Sequence, residues 1–141
     1  MKRLFILCLA LYMIMGSLSG FALVNKKQAS ENAVKPKVEV YYFHFSVRCP
    51  TCHAVEDNSK SALTTLYPEK VKTGEYAFKG VNLDEATSKA IAKKLGVGGQ
   101  TLLVVCEDKK IDLTSKVFMY AQDPIKIKAE IKKAVERVLT R

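Results

Sequence analysis

Two thiols three positions apart, Cys49 and Cys52 in the run Arg48-Cys49-Pro50-Thr51-Cys52-His53, are the residues of this chain best placed to do chemistry. At that spacing they can close a disulfide and open it again. An apolar strand pattern from Val38 to Phe45 leads straight into the pair, and a helical pattern follows it. A helix N-terminus carries unpaired N–H groups and a partial positive charge, so it favours a thiolate in its first turn over the neutral thiol. Cys49 is therefore expected to be the nucleophile and Cys52 the thiol that resolves a mixed disulfide. The same run matches Cys-x-x-Cys-His, the attachment signature of c-type haem. Two thiolates with His53 or His44 are also a donor set for Cu(I) or Zn(II), and the pair could close an inert disulfide. The β-branched and aromatic strand before the motif favours thiol redox chemistry over haem, whose attachment motifs usually sit in helical proteins.

A chain of 141 residues has room for one domain. Its first residues belong to something else. Lys2 and Arg3 precede an apolar run from Leu4 to Met15, then Gly16, Ser17, Ser19 and Gly20, which reads as a secretory signal over residues 1–22 with a cleavage point after Ala22. An uncleaved anchor is the competing reading, because Leu4 to Val24 approaches the roughly 20 residues that span a bilayer. Losing Lys2 and Arg3 takes the formal charge from +9 to +7, so the exported domain stays basic. Its lysines alternate with apolar residues in the last helical segment, as on a solvated face, and no aromatics interleave with them as in single-strand grooves, so no nucleic-acid partner is expected. Cys8 leaves with the signal. Of Cys49, Cys52 and Cys106, the last follows Leu102-Leu103-Val104-Val105 and is expected to be a buried core thiol, with a third redox or metal-ligating role as the alternative.

Residues 23–37 are polar and aperiodic and read as a tether; the folded domain is expected over 38–141. Strands are expected at Val38–Phe45 and Tyr76–Leu83. The helix after Pro50 should stop before Pro68, with Gly74 turning the chain into the second strand. Asp84 or Thr87 should cap a helix whose buried stripe is Ala90, Ile91 and Leu95 and whose end is Gly96. Thr101–Cys106 reads as a strand buried on both faces. Glu107-Asp108-Lys109-Lys110 should turn it into Ile111–Thr114. Asp123-Pro124 starts a last helix that packs through Ile125, Ile127, Ile131, Val135, Val138 and Leu139.

Strand, helix, strand, helix, strand, strand, helix resembles the thioredoxin-like fold, an α/β architecture with a β-α-β-α-β-β-α core and a mixed four-stranded sheet. More narrowly, four blocks resemble the ArsF-like family of small bacterial proteins, described as nitrophenyl compound nitroreductase subunits. They are Tyr41-Tyr42-Phe43-His44, Arg48-Cys49-x-Thr51-Cys52, Gly99-Gln100-Thr101-Leu102-Leu103 and Phe118-Met119-Tyr120-Ala121. The family implies a part in reducing nitroaromatic compounds, and its name suggests arsenic capture. With no Gly-rich phosphate loop and no flavin or nicotinamide signature, the chain is expected to carry no cofactor and to donate electrons to another component.

The thioredoxin-like resemblance implies a substrate-docking loop at Gly99, Gln100 and Thr101, with Gly96, Gly98 and Gly99 allowing close backbone approach. Gln100 stands where such enzymes usually carry a cis-proline. A cis bond before a residue other than proline costs about 2.5–4 kcal/mol, so Gly99–Gln100 is expected to be trans. The acidic residue that usually sits under the resolving cysteine is replaced by Phe43. His44 and His53 are the titratable substitutes, and Arg48 and His53 are candidates for tuning the thiols; a structural histidine at 44 and an exposed rim charge at 48 are the alternatives. The expected partner is a protein disulfide or dithiol, exported or membrane-bound.

Overall fold

The computed structural model describes residues 35–140. The expected signal (1–22), most of the tether and Cys8 lie outside them. Among the described residues no helix is long and apolar enough to cross a membrane.

Val38, Val40 and Tyr42 alternate with Glu39, Tyr41 and Phe43 along β1 (Val38–His44), and all of these except Glu39 are buried. A strand apolar on both faces belongs in the middle of a covered sheet. That is where β1 lies. The sheet order is β2-β1-β3-β4, with β2 (Tyr76–Asn82) parallel to β1, and β3 (Thr101–Cys106) and β4 (Lys109–Asp112) antiparallel to their neighbours. The protein is thus a mixed α/β structure with a mixed four-stranded sheet. Its edges carry Lys79 on β2 and Lys109 and Lys110 on β4, which discourage pairing with another chain.

Parallel β1 and β2 need a crossover, supplied by α1 (Pro50–Leu66) and the short α2 (Pro68–Lys72). The first helix stops before Pro68 as expected. The same proline opens α2, which was not expected; a proline cannot continue a helix but suits the first position of a new one. A 3₁₀ turn (Ala86–Ser88) then leads into α3 (Lys89–Leu95). Neither Asp84 nor Thr87 caps α3. Ser88 holds that position without a side-chain bond, and Asp84 accepts instead from the Ser46 N–H at 2.7 Å. Ala92, not Ala90, is the buried alanine of α3. Gly96 closes the helix in the left-handed region at φ 71°, a conformation that favours glycine.

Glu107 and Asp108 alone make the β3–β4 turn, with Glu107 at φ 54°, so β4 starts at Lys109 rather than Ile111. Thr114 is not in that strand. It begins α4 (Thr114–Met119), a helix too short for periodicity to announce. The last helix, α5 (Pro124–Leu139), is capped as expected, Asp123 Oδ1 accepting from Lys126 N at 3.0 Å. Its buried stripe is Ile127, Ile131, Ala134, Val135 and Val138; Ile125 is 75% exposed and takes no part.

Two cores result. Val38, Val40, Tyr42, Leu102 and Val104 pack with Val55 and Leu63 of α1, Val117 of α4 and Ile127, Ile131 and Val135 of α5. On the opposite face Tyr41, Phe43, Leu103 and Val105 pack with Ala92 of α3. Cys106 is buried in the first core, in keeping with its reading as an apolar thiol.

Candidate functional site

The C-terminal end of β1 and the N-terminus of α1 meet at Cys49. Cys49 is the N-cap residue of α1, with extended backbone (φ −82°, ψ 164°), and Pro50 follows at the first helical position, where its missing N–H costs nothing. The Cys49 carbonyl accepts from Cys52 N at 3.0 Å and His53 N at 3.3 Å, starting the helix. This puts Cys49 Sγ at the positive end of a 17-residue helix and exposes it, while the first turn carries Cys52 inward to 7% exposure. The thiols are free, and their sulphurs stand 2.8 Å apart, within hydrogen-bond reach.

The docking-loop expectation placed Gln100 near the pair, and Gln100 reaches it through its side chain. Its Oε1 lies 3.7 Å from Cys52 Sγ and accepts from that thiol. Its Nε2 donates to the Tyr42 hydroxyl at 2.5 Å, and that hydroxyl donates to the Cys52 carbonyl at 3.0 Å. The ring of bonds closes on Cys52. The strand ladder brings these groups together, since Tyr42 pairs with Leu102 and Phe43 with Thr101 across β1 and β3. No peptide bond among the described residues is cis, so Gly99–Gln100 is trans as expected. Thr101 Oγ1 donates to the Gly99 carbonyl at 3.0 Å and shapes the loop end without touching the sulphurs. A β-carbon added at Gly98 or Gly99 would meet open space, so close backbone approach is not what glycine serves at either position.

The Cys52 thiol is drawn below its ordinary value, chiefly by the hydrogen bond from Cys49 and next by Gln100, against the upward push of burial. The surroundings of the shielded sulphur thus favour its charged form, and Cys49 is the exposed thiol. Tyr42 is pushed up to about 12, mainly by burial, with the Gln100 bond opposing and Cys52 and Glu56 reinforcing it. It stays a neutral hydroxyl that relays hydrogen bonds.

Arg48 is not a bare rim charge. It is ion-paired to Glu56, with side-chain exposures of 18% and 21%. Glu56 was not anticipated, although it stands four residues after Cys52 and so on the same face of α1, a spacing that could have revealed it. It also accounts for Gly80: a β-carbon there would come within 2.8 Å of Glu56 Oε1 and 3.7 Å of His44 Nε2. His44 is half-buried, its Nδ1 3.0 Å from the Phe45 carbonyl and its ring 5.8 Å from that of Tyr42. That is the structural role weighed for it. His53 is exposed on α1. Cys52 turns inward toward Gln100, whereas His53 faces out. Among the described residues, no three His, Cys, Asp or Glu side chains gather as a metal site. A cleft lined by Lys37, Glu39, Tyr41, Ile91, Lys94 and Val105, among others, includes none of the site residues.

No family model and no curated protein matches the chain. A solved structure described as "Structure of a malarial protein" is similar at 21% identity, over 70% of this chain and 98% of that one, with a TM-score of 0.43.

Proposed function

We propose that this chain is a thioredoxin-like thiol:disulfide oxidoreductase, exported and acting on a protein partner. The observation that carries the reading is the division between an exposed Cys49 at a helix tip and a buried Cys52, with sulphurs 2.8 Å apart. In the reducing direction, Cys49 sulphur attacks a partner disulfide, forming the Cys49–partner bond and releasing one partner thiolate, which takes up a proton. Cys52 then loses its proton and attacks Cys49 Sγ; the Cys49–Cys52 disulfide forms and the second partner thiolate leaves and is protonated. Two electrons and two protons pass to the partner, and the reverse sequence oxidises it. The resemblance of four sequence blocks to the ArsF-like family extends the proposal to an electron donor for a nitroaromatic- or arsenical-processing component.

Equilibration of the full-length protein with glutathione redox buffers tests the reading. A reversible dithiol–disulfide couple is expected at a potential above about −300 mV, the level below which structural disulfides lie. Cys52→Ser should also accumulate a reductant-sensitive adduct in the native host that the Cys49→Ser/Cys52→Ser double variant lacks. A potential below that level, together with no adduct, would make the pair a structural staple of an accessory subunit.

A further inference from the structure

Gln100 has an accepting and a donating end at this site, and while Cys52 holds its proton the accepting end faces the sulphur. In that state Oε1 accepts from the thiol and Nε2 donates to Tyr42. Loss of the proton leaves Oε1 facing a thiolate, two acceptors in contact. The amide is bounded on both sides by groups that tolerate either of its ends. A thiolate takes an N–H, and the Tyr42 hydroxyl can accept or donate because its hydrogen rotates about the C–O bond.

We propose that Gln100 is a positioning residue whose side-chain amide turns over with the protonation state of Cys52, so that the resolving sulphur keeps a hydrogen bond as a thiol and as a thiolate. In the turned state Nε2 donates to Cys52 Sγ and Oε1 accepts from the Tyr42 hydroxyl across the same 2.5 Å separation. Tyr42 withdraws its hydrogen from the Cys52 carbonyl to do so. That carbonyl lies inside α1, where the ordinary i to i+4 helical bond still serves it. No group is left unpaired in either state. The proton leaving Cys52 is balanced by the one that the second partner thiolate takes up as it leaves, and the amide neither gains nor loses one.

Two features support the assignment. The Tyr42–Gln100 contact, at 2.5 Å against 3.7 Å to Cys52 Sγ, is the shorter of the two and can be made by either end of the amide, and the value of about 12 for Tyr42 keeps its hydrogen in place through the working range. The trans loop at Gly99–Gln100 also presents a side chain to the sulphur, where a proline would present only its ring.

The inference rests on the proposed thiol exchange, but it is tested without a partner, by the ultraviolet thiolate absorbance of the reduced full-length protein against pH. Gln100→Leu, which keeps the bulk and removes both ends of the amide, should move the first thiolate midpoint up by about one pH unit, a tenfold change. Gln100→Glu, whose carboxylate can only accept, should move it up further. Tyr42→Phe should give a smaller rise, because the amide still reaches the sulphur but has lost its second hydrogen-bond partner. Circular dichroism checks that each variant is folded, and if Gln100→Leu is not, the other two decide. Parental midpoints in Gln100→Glu and Tyr42→Phe, or a lower midpoint in Gln100→Glu, would overturn the turning amide. A parent with no reversible redox couple but shifted midpoints in the variants would overturn the exchange function instead and leave Gln100's role standing.

Discussion

Cys49 and Cys52 differ in one coordinate, which way the first turn of α1 points them, and that difference sets their chemistry. One thiol is open to collision; the other is held by a neighbouring thiol, an amide and burial. Alkylation of the reduced protein near neutral pH should therefore label Cys49 first, with Cys52 and Cys106 protected until the fold opens. Mass analysis of the peptides reads the order directly, and equal labelling of Cys49 and Cys52 would contradict it. The Cys52 thiol is drawn down but shielded, so accessibility makes Cys49 the nucleophile of the proposed exchange. The sequence showed the two thiols and their spacing. It could not show Tyr42 beside them, because Tyr42 reaches the site through strand pairing, whereas Glu56 was legible from its place four residues after Cys52 on α1.

At the level of elements, α5 shows how a correct period can still name a wrong contact. Ile127, Ile131 and Val138 repeat at helical spacing and are buried, whereas Ile125, two residues before the stripe begins, points to solvent. Ile131→Ala should cost about 2–5 kcal/mol, the range for removing a buried aliphatic side chain, while Ile125→Ala should stay within about 0.5 kcal/mol. Chemical denaturation midpoints at constant slope separate the two. Comparable losses would mean that α5 sits in a different rotation. The helix is also tied to the site's side of the sheet indirectly: Asn58 of α1 donates to the Ala121 carbonyl at 2.9 Å, just before the turn into α5. The segment that sequence reading omitted, α4, lies immediately before that turn.

For the folded molecule the site makes stability depend on pH and on redox state together. The folded pKa of Cys52 lies below its ordinary value, so the unfolded reduced chain binds more protons between the two, and reduced-state stability rises with pH across that window until the unfolded thiol ionises near pH 8.5. Tyr42 works in the opposite sense. Raised from 10.0 to about 12, it keeps its proton in the fold while the unfolded chain loses it, and stability falls as pH rises through that interval. The reduced protein should thus be most stable in mildly alkaline solution, and the oxidised protein should lack the rising limb while keeping the alkaline fall. Thermal unfolding of both forms across pH measures this; parallel profiles would mean the thiol charge is not stabilised in the fold. The sequence by itself determined the spaced pair of thiols at a helix start, the order of most elements, the stop before Pro68, the cap at Asp123 and the burial of Cys106, because each follows from local chemistry or from hydrophobic period within one segment. Tertiary structure alone decided the partner of Arg48, the engagement of His44 by main chain and the contact of Gln100 with Cys52. These depend on which residues lie opposite one another across β1 and β3 and on how α1 rotates over the sheet, and separation along the chain carries no record of either.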